Sequence, residues 1–280
     1  MDALLSLLKS TIGTDQALAF VVFLFFLPLF FFAYWGIKRG VRVTLRPLAS
    51  YAALKRLLAQ AAEAGQPVHL SLGIAGIGDQ FTADAMAGLT VLDYVADRST
   101  ISATPPIVTL ANPTALPVAQ DVLRRAYRRH GYSEEYDPTR ARFIAPDPAL
   151  YTGASPNPTL YAASPNDAFA YAAGTMQLLN QQKLIANVMV GRFGDEFLLI
   201  GETGAQRHLN QIGGTSAARV LPFVHATMEH PLIGEEIYAG GAYLSNKPAH
   251  VSSLLAQDLM RWFLIAAIVI AIALKTLGLM

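Results

Sequence analysis

Apolar residues run almost unbroken at both ends of this chain, and between the ends they recur at helical and strand spacings. The longest uncharged run is Ala17 to Ile37, ALAFVVFLFFLPLFFFAYWGI. As a helix its roughly 21 residues would rise about 30 Å, the thickness of a bilayer's hydrocarbon core. Phe20, Phe23, Phe25, Phe26, Phe30, Phe31 and Phe32 crowd it, Tyr34 and Trp35 sit where an aromatic belt would be, and Pro28 predicts a kink. Residues 17–37 are therefore read as a transmembrane helix, and residues 1–16 as a short apolar segment before it. A cleaved signal peptide fits poorly, because the run is too long and no small-residue cleavage site follows. The second run, Trp262 to Leu274, is extended by Val251, Leu254, Leu255 and Leu259 on its N-terminal side. Residues 248–280 are read as one helix that continues into a second span, with Lys275 able to snorkel.

Between these ends the pattern predicts a domain over residues 47–247. Helix spacing covers 47–64, with Gly65 as its stop. A strand follows at 67–72, where Val68, Leu70 and Leu72 alternate with His69 and Ser71. The glycine-rich turn 73–79 leads to a helix over 82–97, then a wholly apolar strand at 106–111, a helix ending at His130, and a strand at 140–145. Residues 146–165 hold five prolines and read as a loop. Beyond it the pattern predicts a helix to Gln182 and two strands, 184–190 and 196–201, joined as a hairpin through 191–195. Glu202-Thr203-Gly204 then leads into a short helix ending near Gly213-Gly214. A last strand is expected at 220–224 and a helix at 231–244. The repeated strand–helix order predicts an α/β fold: a Rossmann-like, mostly parallel sheet with helices on both faces, flanked by transmembrane helices at both termini.

Composition narrows the function classes. The chain is 53% hydrophobic and 15% charged with net charge +1, which gives no electrostatic case for nucleic acid. It contains no Cys, which removes disulfides, thiolate metal sites and Cys nucleophiles. Lys38, Arg39, Arg42 and Arg46 follow the first span, and such a cluster marks the cytoplasmic side. The expected location is a membrane, with the central domain cytoplasmic and both termini outside.

Candidate chemistry is sparse. Gly73, Gly76, Gly78 and Asp79 lie between a strand and a helix, where bare N–H groups and a helix N-terminus can hold an anion. Against that, the spacing is G-x-x-G-x-G, no Lys-Ser/Thr pair follows, and Asp79 would repel a phosphate. Tight turning and close packing explain the same glycines. Glu202, Thr203 and Gly204 are expected at a similar junction, facing Asp79 across one crevice, or else simply stabilising a helix start. His225, Glu229 and His230 form H-x-x-x-E-H, which misses the zincin spacings, so no metal is expected. Arg124, Arg125, Arg128, Arg129 and His130 crowd one helix end. They complement its dipole, and Arg125 and Arg129, with the Lys38–Arg46 cluster, could also meet anionic headgroups. No nucleophile elbow or catalytic triad stands out, and no cofactor is indicated.

The stretches LSLGIAGIGDQ, ADAMAGLTVLDYVADRS, PPIVTLANPTALPVAQDVLRRAY, GRFGDEFLLIGETGA, HPLIGEEIYAGGAYL and PAHVSSLLAQDLMR carry a resemblance over about residues 68–260. They resemble an uncharacterised bacterial membrane family, a domain of unknown function with apolar helices at both ends. The resemblance implies no activity and no catalytic residue. Three functions are then expected in order: a non-enzymatic, homo-oligomeric scaffold or accessory subunit of a membrane complex; a nucleotide- or anion-binding sensor or enzyme using the glycine-rich loops; and transport, disfavoured because the spans carry no internal charge.

Overall fold

Strands of three to seven residues build the centre of the molecule, a sheet of six parallel strands in the order β3-β2-β1-β4-β5-β6. The computed structural model describes residues 14–41, 43–144 and 168–276. The expected 146–165 loop, the first apolar segment up to residue 13, and Arg42 lie outside these. The strands are β1 (Val68–Gly73), β2 (Ile107–Leu110), β3 (Ala141–Phe143), β4 (Ala186–Arg192), β5 (Asn210–Thr215) and β6 (His230–Ile233). Helices α1 (Thr14–Lys38) and α2 (Ala49–Ala64) precede the sheet. Helices α3 (Thr82–Ile101), α4 (Leu116–Arg129), α5 (Phe169–Gln181), α6 (Glu196–Gln206) and α7 (Leu221–Thr227) connect its strands. A 3₁₀ turn (Gly234–Ala239) and helices α8 (Gly240–Ser245) and α9 (Pro248–Thr276) complete the described chain. After β3 the chain returns to the far side of β1, so the topological switch point lies between β1 and β4, as in doubly wound dinucleotide-binding sheets.

The pleat divides β1 between two helical layers. Leu72 faces α3, where Gly88 allows the helix to approach Leu72 and the Val190 carbonyl. Ser71 points the other way, to the Tyr171 hydroxyl of α5. Helices α2, α3, α4 and α8 pack on one another, and α5, α6 and α7 do likewise. The second layer closes over a core that includes Tyr171, Leu179, Met189, Phe193, Phe197 and Ile200.

Four expectations in the second half are corrected. Residues 196–201 are not a hairpin strand: Glu196–Gln206 is helix α6, the crossover that parallel β4 and β5 require. Phe197, Ile200, Gly201 and Gly204 bury its inner face at helical spacing. Gly213 and Gly214 do not close a helix but lie inside β5, because a Cβ there would strike the Met189 and Leu232 carbonyls of the flanking strands. Residues 220–224 enter α7, and the last strand is His230–Ile233. Pro231 sits in that strand rather than opening a helix. As an edge strand, β6 tolerates a missing N–H.

The chain divides into two compact units, Pro47–Ser245 and the helices on either side of it. In the flanking unit, Phe25 of α1 meets Phe263 of α9 with ring centroids 5.4 Å apart. Among the described residues α9 alone is long and apolar enough to cross a membrane by length and composition; the apolar part of α1 counted on that basis is shorter, Val22–Lys38. Within Pro47–Ser245 the two ends of the unit lie side by side. Tyr51 stacks on Tyr243 at 5.6 Å, and Lys55 Nζ donates to the Tyr243 carbonyl at 2.8 Å.

Candidate functional site

The glycine-rich loop after β1 reaches the carboxyl end of the sheet, as its sequence predicts, but its N–H groups are occupied. Gly76 N and Phe81 N donate to the two Asp79 carboxylate oxygens at 3.2 and 2.7 Å. Ile77 N donates to Thr114 Oγ1 (2.8 Å) and Gly78 N to Thr82 Oγ1 (2.9 Å). Asp79 and two threonines thus fill the positions that a bound phosphate would take. Gly73, at φ +70°, has no space for a side chain beside the Arg192 carbonyl, and Gly76 has none beside Asn112 and Thr114. The glycines of this loop are explained by turning and packing.

Glu202, Thr203 and Gly204 do not join that loop. They lie in the second half of α6, which runs from the exit of β4 toward the entry of β5, at the opposite edge of the sheet. Gly204 packs on Gln211 and Asn187, each the second residue of its strand. Glu202 accepts from Gln206 Nε2, and Thr203 Oγ1 donates to the Leu199 carbonyl. The expected crevice between Asp79 and Glu202 therefore does not form, because a strand misread as 196–201 had moved the junction by one element.

Other residues meet at the switch point. Asp84, in the first turn of α3, is only 3% exposed. Its Oδ2 accepts from Ser216 Oγ, just past β5, at 2.9 Å, and its Oδ1 accepts from the Tyr238 hydroxyl. Arg192, the last residue of β4, brings Nη1 to 3.8 Å from Asp84 Oδ2 and donates from it to Ser216 Oγ at 3.3 Å. The guanidinium lies over the Phe81 ring, 4.3 Å from its centre. Burial and the neighbouring Asp84 carboxylate raise the Tyr238 pKa above its usual value. Removing one partner of a buried ion pair of this kind typically costs about 3–5 kcal/mol. Arg192 Nε is itself buried with no hydrogen-bond partner, and such an orphan donor costs about 1–3 kcal/mol.

Glu196, four residues on, is 1% exposed and accepts from Gly194 N at 2.7 Å. Burial pushes its carboxyl up to about 7, against that hydrogen bond, and its Oε2 has no partner. None of these groups was legible as a site in the sequence. Asp84, Arg192, Ser216 and Tyr238 are widely separated and meet only through the sheet order. The signal available was positional: residues just beyond strand ends in a parallel sheet.

A polar ladder also crosses the sheet below this site. Asn187 Nδ2 donates to Gln211 Oε1 (3.1 Å), so Asn187 Oδ1 accepts from His69 Nδ1 (2.7 Å). His69 Nε2 then accepts from Thr109 Oγ1 (2.9 Å), which accepts from Tyr171 (3.1 Å), which accepts from Ser71 (2.6 Å). Gln211 Nε2 ends the chain on the Gly201 and Thr227 carbonyls, both at 2.8 Å. Burial holds His69 neutral, lowering its pKa to about 4.

The basic residues have partners. Arg125 pairs with Asp121 at 3.0 Å, and Arg129 bridges Asp93 and Asp97, both at 3.0 Å, tying α4 to α3. Lys38 lies over Tyr34 and Arg39 over Trp35, and Arg46 is exposed. His225 is on α7 and His230 on β6. Among the described residues no three His, Asp or Glu side chains gather as a metal site.

The family model of a domain of unknown function, DUF6754, matches residues 9–160 and 156–280. The chain belongs to the DUF6754 family. The match takes in both apolar ends as well as the sheet, so the DUF6754 unit is more than the α/β part alone. No curated protein and no solved structure matches the chain.

Proposed function

We propose that this DUF6754 protein is a membrane-tethered, non-enzymatic subunit that assembles with copies of itself or with a larger membrane complex. In this reading α1 and α9 both span a bacterial inner membrane as a hairpin, the Rossmann-like domain is cytoplasmic, and both termini are outside. The observation that carries it is the contact of Phe25 with Phe263, which pairs the shorter apolar helix with the longer. Phe23, Phe31, Phe32 and Trp35 on α1, and Trp262, Ile268 and Ile272 on α9, remain exposed. An apolar surface of this kind needs lipid or another helix to cover it.

Two further features support the reading. The ends of Pro47–Ser245 emerge together at Tyr51 and Tyr243, as a domain inserted into a hairpin requires. Lys38 ends α1 and Arg39 and Arg46 follow it, which suits a cytoplasmic membrane end. The loop N–H groups already held by Asp79, Thr82 and Thr114 favour a subunit over an enzyme that cradles a nucleotide in that loop. Light scattering on the protein extracted in native lipid should give a discrete mass of two or more chains, or a defined hetero-complex. A monodisperse single chain would contradict assembly.

A further inference from the structure

We propose that Arg192 is the anchor of a ligand site at the switch point, and that the ligand is a small molecule bearing a phosphate or carboxylate group. The proposal goes beyond the subunit reading and does not depend on how the protein assembles.

The guanidinium's position is set from three directions. Phe81 supports its face at 4.3 Å, Ser216 accepts from Nη1 at 3.3 Å, and Asp84 stands 3.8 Å from the same nitrogen. These contacts hold the planar group in place and use one of its three nitrogens. Nε has no acceptor although it is buried. An arginine binds carboxylate or phosphate best as a fork, through two parallel N–H bonds from adjacent nitrogens. The fork made by Nε and Nη2 is the edge that Asp84 and Ser216 leave alone.

The position of this orphan makes it informative. In the ladder below, each polar side chain from Ser71 to Gln211 has a partner at 2.6–3.1 Å. Among the described residues three buried side-chain atoms lack a partner, Thr175 Oγ1, Arg192 Nε and Glu196 Oε2, and of these the charged donor lies where ligands of open α/β sheets bind, outside the carboxyl ends of the strands at the switch point. The second orphan of the same strand exit is Glu196 Oε2, on a side chain that is 1% exposed. Both open groups therefore flank one turn, Phe193-Gly194-Asp195.

Asp84 makes the site selective. Its carboxylate already receives Ser216 and Tyr238, so it balances the Arg192 charge without needing the ligand. An oxyanion finds a donor pair at Nε and Nη2 and must uncover the buried Nε to use it.

The test uses the full chain in zwitterionic nanodiscs, titrated calorimetrically with pyrophosphate and with citrate in a buffer free of both groups. The expected result is saturable binding of at least one of them with Kd of about 1 mM or tighter. Pyrophosphate alone assigns a phosphate ligand, citrate alone a carboxylate. Arg192→Gln should weaken binding by about tenfold or more, and Arg192→Lys, which keeps the charge but not the fork, should fall between it and the native protein. Glu202→Gln, at the far edge of the sheet, should bind as the native protein does. If Arg192→Gln does not fold, Arg192→Lys decides. No saturable binding of either probe, or binding that Arg192→Lys leaves unchanged, overturns the proposal.

Discussion

His69 and Glu196 are two buried titratable groups whose pKa values are displaced in opposite senses on stability. His69 falls from 6.5 to about 4 in the folded protein, so the unfolded chain holds more protons between those values, and stability is lost as pH drops through them. Glu196 rises from 4.5 to about 7, so the folded chain holds more protons in that window, and stability is lost as pH rises through it. Each shift corresponds to about 3 kcal/mol, and over most of pH 4.5–6.5 the two slopes cancel. Glu196→Gln keeps the acceptor for Gly194 N and removes one slope. In denaturant unfolding, the stability difference between the variant and the native protein should grow in the variant's favour by about 3 kcal/mol from pH 4.5 to 7. A difference that stays constant with pH would mean Glu196 titrates normally. His69 was visible in the sequence only as a polar residue alternating with Val68, Leu70 and Leu72. Its partners Thr109, Asn187 and Gln211 come from three other strands, and nothing local connects them.

At the scale of elements, the first half of the sheet was legible and part of the second was not, for a physical reason. VHLSLG alternates apolar and polar residues, IVTL is an apolar run, both are bounded by strong turn residues, and β1 and β2 form where these patterns predict. EFLLIGETGAQ also reads as apolar over its first half, and a short apolar run does not distinguish a buried strand from a buried helix. The deciding facts are non-local: β4 and β5 are parallel and need a crossover. The same ambiguity displaced Glu202–Gly204 to the wrong edge and hid Arg192 as a loop residue. Glycines gave the opposite lesson. In an exposed helix, Gly→Ala stabilises by roughly 0.5–1 kcal/mol. Gly88 is in the middle of α3, and a Cβ there would collide with the Val190 carbonyl and Leu72. Gly88→Ala should therefore destabilise, by about 2 kcal/mol or more, lowering the midpoint of thermal unfolding. A raised midpoint would show that α3 does not pack against β4 as closely as described.

The whole molecule pairs an α/β domain with apolar helices at either end, and the DUF6754 match runs through all of it. The apolar ends were the clearest feature of the sequence, since a long run without charge stands out from any periodic pattern. Their pairing was not readable, because nothing in a linear pattern brings Phe25 to Phe263 or Tyr51 to Tyr243. Each contact lies within its own compact unit. The tether is the central claim, and the chain's lack of Cys allows a direct measurement. Single cysteines placed at Asp2, Ser102 and Leu279 in otherwise native protein can be probed in intact cells with a membrane-impermeant maleimide. The hairpin predicts labelling at Asp2→Cys and Leu279→Cys, and labelling of Ser102→Cys only after the membrane is opened. Labelling of one terminus without the other, or of Ser102→Cys in intact cells, would contradict two spans with a cytoplasmic domain.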